Sequence, residues 1–588
     1  MNWTFDTETL VNPNFTYVWG WSATKIDDTL WTKVGNTLDS FFEWCFHNCE
    51  DDIFYIHNLK FDGEFILIWL LKNGYVYDEK IKYKKSFKCL ITDKGLWYTI
   101  DINHFGAKIH FRDSMKLLNF SIDKIAKDFN LPICKLKIDY EKFRFEKHNM
   151  TRQEYEYITH DTKILAMALK KLFDIGYTKL TISSQALDMY KKIIGRKNFN
   201  KIFPVLEIYN DIKLAYKGGW VYVNPSYKNK EVGSGYVLDY NSLYPFCYGG
   251  GKFNLPYGTP IYFEGEYKKD RLYNLYIQHF ECEFILKKDM LPTIQIKGSS
   301  FIETEYLESS DGQVVDLVLT NIDLELFFNH YEVTNIKYID GYMFRSRKDL
   351  FTRYVNINMA KKIQAKKEHN DVLKISSKLM LNSLYGKFGK NPYSSKKIPY
   401  INSDYILKFK NSEVERSDEI YIALACFVTS YARFLTISTS QHFKNSTKNG
   451  KKFDRFLYSD TDSIHFLCDD NENLIDILEG LPIDNYKLGY LKCERYFSKA
   501  KYLRQKCYIE YGFDIDEDVF EEIKEKDNKK QDMKVTIAGL PANLHKYVTF
   551  ENFKQGLDIK EFLVDKGKLR PKHVSGGICL VPAKWSIK

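Results

Sequence analysis

Acidic residues near the start of the chain are spaced so that their side chains can meet. Asp6 and Glu8 lie two apart in a segment with strand character, where residues two apart project to the same side. Asp62 and Asp161 add two carboxylates beside aromatic and amide groups. Four converging carboxylates can hold two cations about 3.5–4 Å apart, an arrangement that supports phosphodiester hydrolysis. Tyr157, one helical turn before Asp161, is suited to orienting the attacking water.

The segment between the first two acidic groups carries side chains suited to a single-stranded nucleic-acid end. Asn58 can hydrogen bond to such an end, and Phe61 can stack on its bases. His57 opens the same segment. Each short stretch taken alone also fits a solvated strand or an ordinary turn. The three segments that contain Asp6, Asp62 and Asp161 occur in this order along the chain, and together they favour a nuclease centre.

A second group of carboxylates lies further along the chain. Asp239 closes a run of strand-forming residues, and Asp460 and Asp462 lie two apart in residues 456–466, which indicate a hydrophobic strand interrupted by acids. Burying acids in a strand is costly unless a cation compensates them. We therefore predict that Asp239 and Asp462 bridge two magnesium ions. Such ions hold a triphosphate, lower the pKa of a primer 3′-hydroxyl and neutralise the leaving pyrophosphate.

A triphosphate also requires cationic side chains. The spacing of apolar residues predicts a helix over residues 373–385, with Gly386 as its stop. Lys374, Lys378 and Tyr385 would share one face of that helix. We predict that this face meets the incoming nucleotide.

Three further side chains are candidates for contact with substrate. Tyr244, in a Leu-Tyr-Pro turn, could lie under the sugar and exclude a 2′-hydroxyl. Lys506 and Tyr508 lie two apart and could touch the primer strand. For each residue alone, a place in the core or on the surface is about as good an explanation. The ordered set is what supports the prediction.

Periodicity predicts the elements that must position these residues. Residues 65–71 and 161–173 indicate helices, and residues 96–101 and 108–112 indicate strands, so the first third is expected to be α/β. A helical and then polar segment at 183–204 marks the entry to a second domain. Residues 391–416 are polar and predict an exposed hairpin or loop, and residues 514–534 predict a second solvated excursion.

Composition predicts a soluble, multidomain, intracellular protein. The 588 residues exceed what one core can organise, and 44% of them are hydrophobic. A net charge of +9 permits a polyanionic partner without proving one. Eleven cysteines without a C-x-x-C pair favour reduced thiols, and Cys45 and Cys49 are predicted to be structural. Neither a signal peptide nor an apolar stretch of about 20 residues is expected.

Together these motifs resemble those of protein-primed B-family DNA polymerases of phi-twenty-nine-like small tailed bacteriophages. Residues 239–245 and 458–463 resemble the two palm motifs of this family, residues 378–386 its fingers motif and residues 506–508 its Lys-x-Tyr motif. The likeness spans nearly the whole chain. Three departures are visible, at Thr7, Met115 and Ser459, and none falls on a proposed metal ligand.

The resemblance implies roles for individual residues. Implied for the exonuclease are Asp6, Glu8, Asn58, Asp62, Tyr157 and Asp161, with His57, Phe61 and Ser114 at single-strand contacts and Lys135 as catalytic lysine. Implied for the polymerase are the metal ligands Asp239 and Asp462, Asp460 beside them, and the nucleotide contacts Tyr244, Lys374, Lys378 and Tyr385. Implied contacts with DNA are Tyr216, Gly218, Gly219, Thr429, Arg433, Arg504, Lys506 and Tyr508.

The resemblance also implies a domain plan: a ribonuclease-H-like 3′-5′ exonuclease domain followed by a right-hand polymerase with two insertions. The expected divisions are 1–180 exonuclease, 181–250 palm, 251–350 insertion for terminal-protein docking, 351–390 fingers, 391–416 strand-displacement loop, 417–537 palm and 538–588 thumb.

The implied partners are DNA template and primer, dNTPs, a single-stranded end and a terminal protein that supplies the priming hydroxyl. The implied cofactor is Mg²⁺, two ions per site, with Mn²⁺ as a substitute. The chain would act in the host bacterial cytoplasm as a monomer that pairs with the terminal protein, away from membranes. Two alternatives stay open: a B-family polymerase using a nucleic-acid primer, and a DNA-binding replication protein whose catalytic centres have decayed.

Overall fold

The computed structural model describes residues 1–10, 12, 14–139, 142–296, 305–368, 370–417, 420–515, 529–540, 542–557, 569–575 and 577–582. Several sheets and helical layers are present in these residues, so the expected multidomain α/β and α+β class is confirmed. All eleven cysteines are free, and Cys45 and Cys49 are buried in the N-terminal core.

Eight strands near the N-terminus form one mixed sheet. They are β1 (Asn2–Thr9), β2 (Val18–Lys25), β3 (Thr32–Gly35), β4 (Asp51–Ile56), β5 (Val76–Tyr77), β6 (Lys85–Ile91), β7 (Trp97–His104) and β8 (Ala107–Asp113). Their order is β3-β2-β1-β4-β8-β7-β6-β5, with β1, β4 and β8 mutually parallel. The accompanying helices are α1 (Leu38–Asn48), α2 (Leu59–Lys72), α3 (Ile122–Asp128) and α4 (Arg152–Asp174). The predicted helices 65–71 and 161–173 and both predicted strands are confirmed.

Alternation along β1 decides which face of this sheet carries polar groups. Trp3 and Phe5 enter the core shared with α1 and α2. Thr4 projects to the other face, where its Oγ1 donates to the carbonyl of Thr162 on α4 at 2.8 Å. Because Asp6 continues the series that Thr4 begins, it also faces α4. The packing of α4 on this face therefore brings Asp161 toward the acids of β1.

The middle and C-terminal parts contain the remaining elements. The helices are α5 (Ile182–Ile194), α6 (Arg196–Ile202), α7 (Tyr209–Lys213), α8 (Leu243–Gly249), α9 (Asn321–His330), α10 (Thr352–Lys367), α11 (Asp371–Phe388), α12 (Ile422–Lys444) and α13 (Leu474–Ile477). The strands are β9 (Val221–Val223), β10 (Glu231–Val232), β11 (Gly235–Tyr240), β12 (Leu255–Glu264), β13 (Leu275–Leu286), β14 (Val315–Thr320), β15 (Tyr331–Arg347), β16 (Tyr393–Ser394), β17 (Lys397–Ile401), β18 (Leu407–Asn411), β19 (Glu415–Arg416), β20 (Thr447–Lys448), β21 (Lys451–Lys452), β22 (Phe456–Asp460), β23 (Ser463–Leu467), β24 (Leu491–Arg504), β25 (Cys507–Asp514), β26 (Asp532–Ile537), β27 (Leu569–Val574) and β28 (Gly577–Pro582).

A second large sheet lies at the centre of the chain. Its order is β26-β25-β24-β11-β23-β22-β9, with β10 beside β24. Helix α12 packs against it, and the rings of Phe443 and Phe466 stack with centroids 4.1 Å apart. By length and composition α12 could cross a membrane, and it is the one such helix in the described residues, but 83% of its apolar window is buried inside the protein. That burial is what a core helix of a soluble protein shows.

The other elements surround this central sheet. Strands β12, β15, β13 and β14 form a separate four-stranded sheet with α9, and α10 and α11 pack together as a pair. Residues 393–416 form the predicted hairpin, built from the pairs β16–β19 and β17–β18. This hairpin docks on the N-terminal sheet, where Leu407 is buried and the amide of Asp93 donates to the carbonyl of Ser395 at 3.1 Å.

Three expectations about elements need correction. Helix α11 passes through Gly386 and ends at Phe388, with Gly389 as its C-cap. Glycine suits position 389, because a Cβ there would lie 2.5 Å from the Tyr216 hydroxyl. Residues 456–466 form a hairpin rather than one strand, because Thr461 turns the chain with φ of 66°. The excursion at 514–534 contains strand β26, and residues 516–528 lie outside the described residues.

A buried ion pair joins α12 to α9. The guanidinium of Arg433, 4% exposed, donates to both carboxylate oxygens of Asp323 at 3.0 and 2.5 Å and to the carbonyls of Lys217 and Gly218 at 2.8 Å. Thr429 is also buried, and its hydroxyl donates to the carbonyl of Ala425 at 3.0 Å. The predicted contacts of Arg433 and Thr429 with DNA are therefore corrected: both side chains are engaged inside the protein.

Removing the acid from this pair should destabilise the chain strongly. Asp323→Asn leaves the Arg433 charge buried without a counter-charge, and breaking such a pair costs about 3–5 kcal/mol. The expected result is a fall of that size in the free energy of unfolding measured by urea titration. The matched control is Arg152→Ala, which breaks an exposed pair with Glu156 and should change the free energy by less than about 1 kcal/mol. Equal midpoints for the two variants would contradict this account.

Candidate active sites

Nine of the predicted residues line one cavity of about 540 Å³ beside the N-terminal sheet. They are Asp6, Glu8, His57, Asn58, Phe61, Asp62, Lys135, Tyr157 and Asp161. We call this space the N-terminal cavity. Strand β1, the start of α2 and the middle of α4 each contribute one edge, and Leu580 of β28 contributes another. No sequence signal pointed to Leu580, which lies more than 400 residues from the other lining residues.

Three carboxyl groups of the N-terminal cavity have raised pKa values. Burial, then the neighbouring charges of Asp62, Glu8 and Asp161, raises the pKa of Asp6 well above its ordinary value. Burial, followed by Asp161, raises the pKa of Glu8 to about 8. The pKa of Asp62 is raised to about 6 by burial, although hydrogen bonds from the Thr7 hydroxyl and amide oppose the shift. A positive charge in this cavity would lower all three pKa values.

The donor set of the N-terminal cavity fits a divalent cation. The Oδ1 atom of Asp161 is buried without a hydrogen-bond partner, while its Oδ2 forms an ion pair with Lys135. Within the described residues, no three acidic, histidine or cysteine side chains lie close enough to hold an ion as they stand. Carboxylate oxygens are nevertheless the ligands that Mg²⁺ prefers. The unpartnered Oδ1 of Asp161 is available to such an ion while its Oδ2 stays paired with Lys135.

One buried acid that sequence analysis missed shapes the wall of the N-terminal cavity. Asn58 adopts a left-handed conformation with φ of 77° before α2 begins. The Oδ1 of Asp113 accepts hydrogen bonds from the amides of Asn58, Leu59 and Met115 at 3.2, 3.4 and 3.1 Å. Asp113 thus fixes the turn that presents Asn58. Nothing in its local sequence distinguishes it from an ordinary strand-terminal acid.

Ser114 does not reach the N-terminal cavity, so its predicted contact with single-stranded DNA is corrected. Its side chain is fully buried and donates to the carbonyl of Ile56 at 3.0 Å. His57 Nδ1 lies 3.0 Å from the Ser114 hydroxyl, and its Nε2 lies 2.7 Å from the carbonyl of Phe120. Burial lowers the pKa of His57. Ser114 therefore positions the His57 ring, and His57 itself faces the cavity.

The second group of carboxylates meets at one end of the central sheet. Asp239 at the end of β11 lies opposite Ser463 at the start of β23, and the amide of Tyr240 donates to the carbonyl of Asp462 at 3.0 Å. Burial, then the Asp462 charge, raises the pKa of Asp239 to about 8. Burial raises the pKa of Asp462 to about 6. We call Asp239 and Asp462 the hairpin site.

Asp460 turns from this pair toward a lysine. Lys506 Nζ lies 2.8 Å from both carboxylate oxygens of Asp460, and the Lys506 amide donates to the Tyr458 hydroxyl at 3.0 Å. Tyr508 is 7% exposed, and its ring packs on Tyr458 with centroids 5.1 Å apart. The predicted contact of Tyr508 with the primer is corrected, since this ring supports Tyr458 from within the sheet. Arg504 lies half-buried just before the turn that carries Lys506.

Lysines on α10 and α11 face a cavity of about 470 Å³ beside α3. Lys374 and Lys378, which were predicted to share one helix face, both line it, and so does Lys362 from α10. Burial, then the charge of Lys378 and neighbouring lysines, lowers the pKa of Lys362. The charge of Lys378 also opposes the rise that burial produces in the pKa of Asp239. Sequence analysis missed Lys362, because its lysine-rich segment also fits a solvated helix face.

Two tyrosines predicted separately form one unit. The rings of Tyr244 and Tyr385 stack at 4.3 Å with an angle of 14° between their planes. They join the start of α8 to the last turn of α11. Burial raises the pKa of both phenols, and the charge of Asp462 adds to the rise.

The glycine-rich loop at 216–219 packs against the turn between β22 and β23. A Cβ at Gly219 would lie 2.8 Å from Thr461, so only glycine fits there without a shift. Gly218 is exposed, and the amide of Thr461 donates to the carbonyl of Trp220 at 2.8 Å. Burial raises the pKa of Tyr216, at the start of the loop, to about 12. This loop therefore holds the Asp460–Asp462 turn in position.

Comparison with known proteins identifies the family of the chain. The sequence model of the family described as DNA polymerase type B, organellar and viral, matches residues 45–148 and 138–476. The DNA polymerases of Bacillus phages Nf and phi29 are each 40% identical to the chain over 602 and 593 residues, with 99% of this chain and 99% and 98% of theirs covered. The DNA polymerase of Streptococcus phage Cp-1 is 34% identical over 609 residues, covering 99% of this chain and 98% of its own.

A solved structure of phi29 DNA polymerase complexed with primer-template DNA and incoming nucleotide substrates superimposes with a TM-score of 0.89 at 37% identity, and the match covers 100% of both chains. From the family match, the full-length identities and the shared fold, we conclude that the chain belongs to the B-family DNA polymerases of the organellar and viral type.

Proposed function

We propose that the hairpin site carries out nucleotidyl transfer in this DNA-directed DNA polymerase and that the N-terminal cavity is a 3′-5′ exonuclease site that proofreads. The observation that carries the proposal is the pair Asp239 and Asp462, two half-buried carboxyls with raised pKa at one sheet end. They face the stacked tyrosines and Lys378. The carboxyl pair suits a primer end, the stacked tyrosines suit a sugar, and Lys378 suits a triphosphate.

Asp239 and Asp462 would hold Mg²⁺, for which Mn²⁺ can substitute. When bound, such ions lower the pKa of the primer hydroxyl and neutralise charge on the leaving pyrophosphate. Lys378, with Lys362 and Lys374 behind it, would hold the triphosphate. Tyr244, stacked on Tyr385, would lie beneath the sugar. Lys506, held by Asp460, would reach the primer strand.

In the N-terminal cavity, the carboxylates Asp6, Glu8, Asp62 and Asp161 would hold the divalent ions. Tyr157 would orient the attacking water, and Lys135 would neutralise charge at the cleaved phosphate. His57, Asn58 and Phe61 lie on one wall and would hold the single-stranded 3′ end. The half-exposed Gly219 loop, between the two centres in sequence, would guide the primer as it moves from one to the other.

Substituting ligands of one centre should leave the other centre active. Asp239→Asn or Asp462→Asn should lower dNTP incorporation on a primed template by at least about a hundredfold, because cation-held charge supplies several kcal/mol to the transition state. Degradation of a labelled single-stranded oligonucleotide should continue. Asp6→Asn and Asp161→Asn should show the reverse. Loss of both activities in every variant, despite unchanged melting temperatures, would contradict two separate centres.

Cation binding to the N-terminal cavity should strengthen with pH. Carboxyls with raised pKa values are largely protonated below pH 6, and an ion must displace those protons. Titration calorimetry with Mn²⁺ at pH 6.0 and 8.5 should show tighter binding at the higher pH and proton release at the lower. Asp239→Asn, which leaves this cavity intact, is the background for the titration, and Asp161→Asn in that background should abolish the difference. Binding that does not vary with pH would refute the assignment.

We also propose that the divisions expected from the sequence are functional domains. Residues 251–350 would dock the terminal protein, residues 391–416 would separate template strands, and residues 538–588 would form the thumb. The four-stranded sheet with α9 supports residues 251–350 as a folded unit, and the docked hairpin at 393–416 supports residues 391–416 as another. Of the thumb segment, residues 541, 558–568, 576 and 583–588 lie outside the described residues. Replication would take place in the host bacterial cytoplasm.

Priming from a protein hydroxyl can be tested directly. Incubation with the terminal protein co-expressed from the same genome, labelled dATP and Mg²⁺ should attach deoxyadenylate covalently to that protein. The reaction should disappear with Asp462→Asn. Label that remains free while a DNA primer is extended normally would favour a polymerase primed by nucleic acid instead.

A further inference from the structure

Two phenylalanine side chains near the N-terminal cavity are open to solvent although their loop is firmly held. Phe143 is 56% exposed and Phe145 is 70% exposed, with ring centroids 4.9 Å apart at 88°. Arg144 between them is 3% exposed. Its Nε donates to Glu154 at 2.8 Å, and its guanidinium lies 4.5 Å from the Trp19 ring. Burial of Arg144 in an extended segment turns both neighbours outward.

This anchor borders the N-terminal cavity. Glu154 precedes Tyr157 by three residues on α4, a rise of about 4.5 Å along the helix. The two exposed rings therefore flank a side chain anchored within one helical turn of the proposed water-orienting tyrosine.

Two more aromatic residues continue the same surface. The Tyr17 hydroxyl donates to the carbonyl of Arg144 at 2.5 Å, and the Tyr17 ring lies 6.0 Å from that of Phe15, which is 46% exposed. The intervening Thr16 pairs through its amide with the carbonyl of Ile578 at 2.7 Å, in the hairpin whose Leu580 lines the N-terminal cavity. Four aromatic rings thus belong to segments that are bonded to α4 and to the hairpin bordering the cavity. We call Phe15, Tyr17, Phe143 and Phe145 the aromatic track.

The charge around the aromatic track favours a polyanion. Residues 142–148 carry Lys142, Arg144 and Lys147 against Glu146, and Glu154 of α4 pairs with both Lys142 and the buried Arg144, so the exposed cations are Lys142 and Lys147. Lys142 is half exposed. Exposed aromatic rings within a basic surface are what single-stranded DNA requires, since every base can stack on a ring while cations follow the backbone. A protein partner would more often require a contiguous apolar patch without interspersed lysines.

We propose that the aromatic track is a stacking subsite for single-stranded DNA whose 3′ end occupies the N-terminal cavity. This proposal rests on the proposed exonuclease function of that cavity and adds contacts to nucleotides upstream of the end. Rings bind bases whatever their sequence, as a proofreading site requires. The track would hold a melted primer while its terminal nucleotide is examined.

Binding of short and long oligonucleotides tests the proposal. The full chain is titrated in EDTA with fluorescent dT3, which would fill the cavity alone, and with dT12, which would also reach the track. The double variant Phe143→Ala, Phe145→Ala should bind dT12 at least about fivefold more weakly, the low end of stacking one base on an aromatic ring. Its affinity for dT3 should stay unchanged.

Two control variants accompany this titration. Phe105→Ala removes another ring, 62% exposed, at the turn between β7 and β8. It lies at the opposite end of β8 from Asp113, roughly 20 Å away by strand length, and should bind dT12 as the native chain does. Phe143→Trp with Phe145→Tyr keeps two stacking rings and should retain most of the affinity. Base analogues such as 2-aminopurine, placed at successive positions, should be quenched at an upstream position only when the rings are present.

The outcomes separate the two proposals. Unchanged dT12 binding by the alanine double variant overturns the aromatic track, and so does an equal loss on dT3 and dT12 or a loss shared by Phe105→Ala. Failure of the exonuclease proposal shows differently: the native chain would leave dT12 intact in Mg²⁺, whatever the titrations in EDTA give.

Discussion

Carboxylates buried beside one another cannot all be ionised without a nearby positive charge. In the N-terminal cavity this constraint is met in part by Lys135, which pairs with Asp161, and by the Thr7 groups that bond to Asp62. At the hairpin site, Lys378 and Lys492 lower the pKa of Asp239 against the effect of burial. Neither arrangement removes the raised pKa values. Both centres are therefore built to attract cations, and the surrounding fold holds like charges where they would not otherwise stay.

Three of the turns that present these groups contain a residue with positive φ. Asn58, Thr461 and Lys506 all have positive φ, at 77°, 66° and 54°, which is uncommon for residues other than glycine. Each is held by neighbouring contacts: Asp113 braces Asn58, the carbonyl of Trp220 braces Thr461, and the Tyr458 hydroxyl braces Lys506. Such conformations persist only where the surroundings impose them. These residues lie at the wall of the N-terminal cavity, in the turn between β22 and β23 and in the turn between β24 and β25, which are the places where the proposed chemistry needs fixed groups.

Sequence analysis succeeded where function follows local periodicity. Asp6 and Glu8 share a strand face because strands alternate, and Lys374 and Lys378 share a helix face because they lie one turn apart. It was wrong or silent where tertiary packing decides. Arg433 and Ser114 carry groups typical of DNA contacts, yet α12 and β8 turn them into the interior. The acid that braces Asn58, and Leu580 from the far end of the chain, carry no local signal because their roles arise only once distant segments meet.

Anomalous diffraction from crystals soaked in Mn²⁺ tests the central claim most directly. We predict Mn²⁺ peaks in two separate places, one between Asp239 and Asp462 and one among Asp6, Glu8, Asp62 and Asp161. Peaks at other positions, or at only one of these centres under saturating Mn²⁺ at pH 8.5, would contradict the account.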